Sequence, residues 1–76
     1  MTQDLERVVE LLVDEPERVD VVERREGRTR VLELSVAEGD LGKVIGRQGR
    51  TARALRTVLG ARGVKDGDDF ELEVLD

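Results

Sequence analysis

Residues 41–65 read LGKVIGRQGRTARALRTVLGARGVK and contain no acidic side chain. Seven of these positions are Lys or Arg, although the 76-residue chain as a whole carries 18 acids against 13 bases. Near the centre of the stretch, the sequence Gly46-Arg47-Gln48-Gly49 follows the apolar pair Val44-Ile45. Basic residues around paired glycines indicate a place where an anion lies close to the backbone, and the phosphate chain of a nucleic acid fits best.

Charge is divided along the chain. The net charge is −5 overall, but it is −5 over residues 1–39, +5 over residues 40–62 and −5 over residues 63–76. The central segment favours a nucleic-acid partner, since salt screens charges more than about 8 Å apart. A basic helix that only balances acidic neighbours in the fold is the open alternative.

Composition excludes several classes of function. The chain has no Cys and no His, so the usual zinc ligands, disulfides and the commonest general base are missing. No apolar run approaches the roughly 20 residues of a membrane helix, and the N-terminus has no signal-peptide pattern. We therefore expect a single small domain over residues 1–76, with a cytoplasmic location by default, no enzymatic activity, no cofactor and no metal.

The first half of the chain predicts a helix and a hairpin. A helical stripe runs over Leu5, Val8, Val9 and Leu12, with Thr2 as a cap and Pro16 as the end. Alternation then predicts two strands, joined by a turn at 25–28, whose core-facing residues are Val19, Val21, Leu32, Leu34 and Val36, with Val31 on the opposite face.

The second half predicts two helices and a strand. Asp40 is expected to cap a short helix over Leu41–Ile45, and a second helix begins near Arg50 and ends at Gly60 and Gly63. The apolar face of the second helix comprises Ala52, Leu55, Val58 and Leu59, and the last strand alternates at Phe70, Leu72 and Val74. The result is an α+β fold of order α-β-β-α-α-β, with helices on one face of a three-stranded sheet.

The glycine loop has a specific chemical use. Glycine lets the backbone approach a ligand, and the helix that follows points its N–H groups and positive dipole end at the same spot. Arg47 and Gln48 project from the loop tip, and Arg50, Arg53 and Arg56 follow as a stripe along the helix. A glycine pair that merely makes a tight turn between helices is the structural alternative.

The stretch Gly42–Arg56, GKVIGRQGRTARALR, resembles the Gly-Lys-x-Ile-Gly-x-x-Gly-Arg-x-Ala-x-x-Leu-Arg string of small stand-alone bacterial KH proteins of the KhpA type. The element order is similar to the type II, prokaryotic KH arrangement. The resemblance implies single-stranded RNA binding in which the GXXG loop clamps about four nucleotides. The candidate RNA-binding residues are Lys43, Ile45, Gly46, Arg47, Gln48, Gly49, Arg50, Arg53 and Arg56.

The same resemblance implies a cellular setting. It implies an RNA-chaperone-like role in post-transcriptional regulation in the bacterial cytoplasm, linked to cell shape, and pairing with itself or with a KhpB-type partner. The strongly acidic body departs from a tight RNA binder, so weak binding by one domain is expected. Two other functions stay open: a protein-interaction or assembly module with a purely structural glycine loop, and a helix-turn-helix that binds duplex DNA.

Replacement of both loop glycines tests these expectations. The sequence predicts that Gly46→Asp together with Gly49→Asp abolishes RNA binding and leaves the fold intact, because the loop is expected to be exposed. Binding to a short single-stranded RNA and circular dichroism are the measurements. Full binding by a folded double variant would contradict the assignment of the loop.

Overall fold

The computed structural model describes residues 2–76 and confirms the predicted order of elements. The helices and strands are α1 (Thr2–Leu12), β1 (Asp20–Glu26), β2 (Thr29–Ser35), α2 (Leu41–Ile45), α3 (Arg50–Asp66) and β3 (Asp69–Val74). Short 3₁₀ turns at Pro16–Arg18, Glu38–Asp40 and Arg47–Gly49 connect them. None of the helices in the described part of the chain is long and apolar enough to span a bilayer.

Helix α1 differs from its prediction at both ends. Thr2 lies within the helix rather than before it, and the helix ends at Leu12, before Pro16 begins a 3₁₀ turn. Leu5 and Val9 are buried, whereas Val8 and Leu12 of the same predicted stripe are 46% and 41% exposed. Only part of the apolar stripe therefore packs against the rest of the chain.

Helix α3 is longer than predicted, because it continues through Gly60 and Gly63 to Asp66. Gly67, with φ 76°, provides the left-handed C-cap that ends it. A Cβ built on Gly63 would lie 2.5 Å from the carbonyl oxygen of Asp68 and 3.1 Å from the ring of Phe70. Gly63 thus lets the helix approach the start of β3 closely instead of ending the helix.

The sheet has the order β1-β2-β3, antiparallel between β1 and β2 and parallel between β2 and β3. Glu26 pairs with Thr29, so the hairpin turn consists of two residues, with Gly27 at φ 60°. The strands pair up to Glu26, so the turn lies one residue later than predicted. Val19 and Val36, both predicted as strand residues, lie just outside the strands.

The core lies between the sheet and the helices, as predicted. Leu32 and Leu34 of β2 are fully buried and pack with residues from the other elements, namely Leu5, Val9, Val21, Val44, Leu55, Leu59 and Leu72. Val58, predicted on the same face of α3 as Leu55, is instead 62% exposed. The buried apolar face of α3 is therefore narrower than the sequence predicted.

The outer face of the sheet also buries one apolar residue. Val31 is 1% exposed, although it points away from the helices. Its cross-strand neighbour Arg24 donates to Glu33 at 3.1 Å, to Glu73 at 3.0 Å and to Glu26. Because Glu33 and Glu73 lie on β2 and β3, the arginine stem extends over Val31 and keeps water from it.

The two helical glycines of α3 provide a matched test of this packing. Gly60→Ala should stabilise the protein by about 0.5–1 kcal/mol, since a Cβ there meets nothing within 4 Å and alanine favours helix. Gly63→Ala should destabilise it by about 1–3 kcal/mol, because the methyl group collides with the backbone of Asp68. Urea denaturation measures both, and equal effects of the two substitutions would contradict the close approach of α3 and β3.

Candidate nucleic-acid interface

Gly46 occupies a backbone position that only glycine can take. Its φ of 77° and ψ of 171° lie in a region that side chains exclude. A Cβ at Gly46 would collide with the side chain of Thr51 and lie 2.8 Å from the Thr51 backbone nitrogen. The turn between α2 and α3 is therefore packed directly against the first residues of α3.

Gly49 also has a positive φ, but for a different reason than Gly46. Gln48, with φ 55° and ψ 27°, and Gly49, with φ 73° and ψ 15°, reverse the chain in two steps. A Cβ at Gly49 would meet nothing within 4 Å. The Gly46 N–H donates to Gly42 at 2.8 Å and the Gly49 N–H donates to Gly46 at 3.1 Å, so the loop is closed by its own backbone.

These contacts correct the expectation for the double glycine variant. An Asp at position 46 would be strained and would push against the start of α3, so we expect Gly46→Asp to disturb the fold. An Asp at position 49 meets open space but must still adopt a left-handed conformation. If that variant lost RNA binding, the measurement would not distinguish a disrupted loop from a phosphate site blocked by the new carboxylates.

The N-terminus of α3 opens next to the loop. No side chain caps this helix, and its first turn contains no acidic residue. The first backbone N–H groups of a helix have no partner within the helix, and a 17-residue helix adds a positive dipole end. The Gly49 and Arg50 N–H groups already donate to the carbonyls of Gly46 and Arg47, so an anion at the loop is attracted mainly by the helix dipole and the basic side chains, with no carboxylate of the first turn to repel it.

The arginines around the loop have no acidic partner, a property that they share within the described residues with Arg7, Arg18, Arg25, Arg28 and Lys65. Within the described residues, Arg47, Arg50, Arg53 and Arg56 are exposed and none has an acidic partner within 4.0 Å. Arg50 donates only to the side-chain oxygen of Gln48, at 3.4 Å. Arg24, Arg30 and Arg62, by contrast, are bound by acids of the chain itself. The loop and the first turns of α3 thus present four guanidinium groups to an external anion.

Lys43 and Ile45 have different surroundings. The Lys43 ammonium lies 3.1 Å from Asp14 and 3.8 Å from Asp40, and Asp14 raises the pKa of the lysine above its ordinary value. Its charge is therefore directed to the junction of α1 and α2. Ile45 is 39% exposed beside the loop, whereas its neighbour Val44 is fully buried in the core.

A hollow lies between α3 and β3, next to Arg56 at the end of the arginine stripe. It has a volume of about 260 Å³ and is lined by Arg56, Leu59, Phe70, Glu71 and Leu72. At one end Arg30 lies over the ring of Phe70, 4.7 Å from its centroid, held by Glu23 at 2.8 Å and by Asp68 at 3.1 Å. The hollow has a largely apolar floor, with Arg56 on the side of the helix and the backbone of β3 on the other.

The outer edge of β3 forms the far wall of this hollow. The Leu75 N–H donates to Leu34 at 2.8 Å, so the odd-numbered residues of β3 bond towards β2. The backbone N–H and C=O groups of Phe70, Leu72 and Val74 therefore point to the unpaired edge. Sequence reasoning missed this edge, because alternation identifies the apolar face of a strand but the order of strands in the sheet decides which edge is unpaired.

Asp40 holds the base of the loop-bearing helix in place. The prediction that its side chain caps α2 is wrong: the carboxylate is 2% exposed and accepts the backbone N–H groups of Asp14 at 3.1 Å and Glu15 at 3.0 Å. The Asp14 N–H, with Glu15 and Lys43, lowers the pKa of Asp40 below its ordinary value. This carboxylate ties the end of α1 to the start of α2.

Comparison with known proteins gives consistent matches. The family model of the KhpA/KhpB KH domain matches residues 2–74. The chain is similar to the RNA-binding protein KhpA of Streptomyces coelicolor, 57% identical over 63 residues, which cover 83% of this chain and 80% of the relative. It is also similar to the RNA-binding protein KhpA of Clostridium acetobutylicum, 45% identical over 75 residues that cover 99% of this chain and 100% of the relative. No solved structure matches.

The buried carboxylate predicts a pH-dependent stability. Because the folded pKa of Asp40 is lowered, its contribution is complete above the ordinary Asp pKa of about 3.9 and is lost as the pH falls through the folded value. Asp40→Asn should therefore melt at a lower temperature than the parent at pH 7, and the difference should shrink below about pH 4. The exposed Glu38→Gln is the matched control in the same 3₁₀ turn. An Asp40→Asn variant as stable as the parent at pH 7 would contradict this role.

Proposed function

This chain belongs to the KhpA/KhpB KH-domain family, and on that premise we propose that it binds single-stranded RNA through the loop Gly46–Gly49. The observation that carries the proposal is the coincidence of a backbone-closed glycine loop, an uncapped helix N-terminus and four exposed arginines without acidic partners. Curated relatives across several bacteria are named RNA-binding proteins, which supports the same conclusion.

The loop receives the phosphate chain. A phosphate beside Gly49 is attracted by the positive dipole end of α3. Arg47 and Gln48 contact phosphate or sugar oxygens from the loop tip, and Arg50, Arg53 and Arg56 guide the following nucleotides. Lys43 belongs to the proposed set with a lesser role, since Asp14 and Asp40 already take up its charge.

The hollow between α3 and β3 receives the bases. Leu59 and Leu72 offer an apolar floor, with Ile45 beside the loop, and the edge of β3 offers backbone donors and acceptors to base edges. Phe70 is already covered by Arg30, so aromatic stacking contributes little. We expect one domain to bind a short RNA with a Kd on the order of micromolar or larger. The affinity should decrease as the salt concentration rises.

The acidic remainder of the chain limits where RNA lies. Asp69, Glu71 and Glu73 project from β3 on the face away from the helices, and that face repels a phosphate chain. The RNA backbone is therefore confined to the side of α3, while the bases point towards β3. A duplex is disfavoured, because its bases are not available to the strand edge.

Family membership also supports the wider role. We propose that residues 1–76 act as a single KH domain without enzymatic activity, as an RNA chaperone in the cytoplasm. Pairing with a second copy or with a KhpB-type partner would link two weak RNA sites and raise the avidity for longer RNA. The family model covers both KhpA and KhpB, which supports a partner of that type.

Replacement of the two inner loop residues tests the site without disturbing Gly46. Arg47→Asp with Gln48→Asp should weaken binding to a short single-stranded RNA at least tenfold, because two acids then face the phosphate. The left-handed conformation at position 48 tolerates Asp, so the melting temperature should change little. Fluorescence anisotropy with labelled RNA and thermal denaturation are the measurements.

The matched control is Gln3→Asp with Arg28→Asp, which makes the same chemical changes at the start of α1 and in the hairpin turn. This control should bind RNA within about twofold of the parent, since neither residue lies in the proposed site. Equal losses in both double variants would mean that only net charge matters. Stronger competition by duplex DNA than by single-stranded RNA would contradict the proposed ligand.

A further inference from the structure

Arg30 of β2 is fixed beside the hollow by carboxylates of the chain itself. Its Nε atom and one terminal nitrogen donate to the two carboxylate oxygens of Glu23 on β1, at 3.1 Å and 2.8 Å. The other terminal nitrogen donates to Asp68 at 3.1 Å. All three guanidinium nitrogens are therefore engaged within the chain, and these bonds give the planar group one defined orientation.

The oriented guanidinium group lies over the ring of Phe70. Arg30 and Phe70 are partners in the register of β2 and β3, and the guanidinium carbon is 4.7 Å from the ring centroid. The ring also adjoins α3, because a Cβ built on Gly63 would lie only 3.1 Å from the Phe70 Cδ2 atom. Phe70, which lines the hollow, is thus held between an arginine of β2 and the backbone of the helix.

The turn after α3 holds the second carboxylate in place. The Asp68 N–H donates to the Gly63 carbonyl at 2.8 Å, so the backbone of the turn is bonded to the last turns of the helix. The side chains of Arg30 and Asp68 are 23% and 28% exposed, so water reaches their ion pair only in part. These contacts join β1, β2 and the end of α3 around one aromatic ring.

We propose that Arg30 is a positioning residue of the RNA site, which holds the Phe70 ring as a fixed wall of the hollow and so prepares the hollow for a base. This role rests on the proposed function, since it belongs to the same site. Without the guanidinium group the ring gains space on the side of β2 and no longer borders the hollow in one place. A base must then order the ring as it binds, which lowers the affinity.

This role differs from that of a phosphate ligand. The nitrogens of Arg30 already donate to Glu23 and Asp68, whereas Arg56 on the opposite side of the hollow has no acidic partner within 4.0 Å among the described residues. Removal of Arg30 should therefore weaken the contact of the hollow with a base and leave the contact with the sugar–phosphate chain unchanged.

A double variant of unchanged net charge tests this role. Arg30→Gln with Asp68→Asn removes one base and one acid, so the net charge stays at −5. Its affinity for a short single-stranded RNA should fall roughly three- to tenfold, because one more side chain must be ordered on binding. Its affinity for an abasic sugar–phosphate oligomer of the same length, and the salt dependence of binding, should equal those of the parent. Fluorescence anisotropy with both labelled oligomers is the measurement.

The matched control is Arg62→Gln with Asp66→Asn, which makes the same chemical changes in an ion pair that does not line the hollow. It should bind both oligomers within about twofold of the parent. An Arg30 double variant that keeps the full preference for RNA over the abasic oligomer, or that binds both more weakly by the same factor, would overturn the role of Arg30. A parent chain that binds the two oligomers equally, or binds neither, would overturn the proposed base site as well.

NMR spectra of the parent chain give a second measurement that needs no substitution. The ring signals of Phe70 should shift when the RNA is added and stay in place with the abasic oligomer, since only a base contacts the ring. The Nε–H signal of Arg30, which donates to Glu23, should change little with either oligomer, whereas those of Arg47 and Arg50 should shift with both. A shift of the Arg30 signal as large as those of the loop arginines would mean that Arg30 binds phosphate itself and would overturn the proposal.

Discussion

The close contact between Gly46 and the start of α3 is the constraint on which the candidate site depends. Because a Cβ at Gly46 has no space beside Thr51, α2 and α3 meet in one tight arrangement. That arrangement places the N-terminus of α3 beside Gly49, where the surface is open. Arg47 and Arg50 then lie beside this N-terminus, and Arg53 and Arg56 follow along α3, so a single backbone contact positions the loop and its side-chain charges.

The ion pairs within the described residues engage four of the basic side chains, and none of them involves an arginine of the loop. Arg24 and Arg30 are held by acids of neighbouring strands, Arg62 by Asp66 one turn later, and Lys43 by Asp14. The acids that remain on the outer face of β3 point away from the helices. The acids of β3 thus lie away from the arginines at the start of α3, and short screening lengths let these arginines act locally despite a net charge of −5.

Local patterns predicted the elements well, whereas contacts between distant residues decided the rest. Alternation at Leu32, Leu34, Phe70 and Leu72 depends on neighbours in sequence, so the strands and the core face were predicted correctly. Gly63 looked like a helix end because glycine usually breaks helices, but its contact with Asp68 lies across a turn. The carboxylate of Asp40 binds backbone groups 25 and 26 residues away, which no local pattern reveals.

A map of backbone amide chemical shifts during titration with a short single-stranded RNA tests the proposed site directly. The largest shifts should occur at Gly46 to Ala52 and at Phe70 and Leu72 on the edge of β3. The outer-face residues Arg24 and Glu33 should be unaffected. Shifts centred on the outer face of the sheet, or no shifts at the loop when RNA is bound, would contradict it.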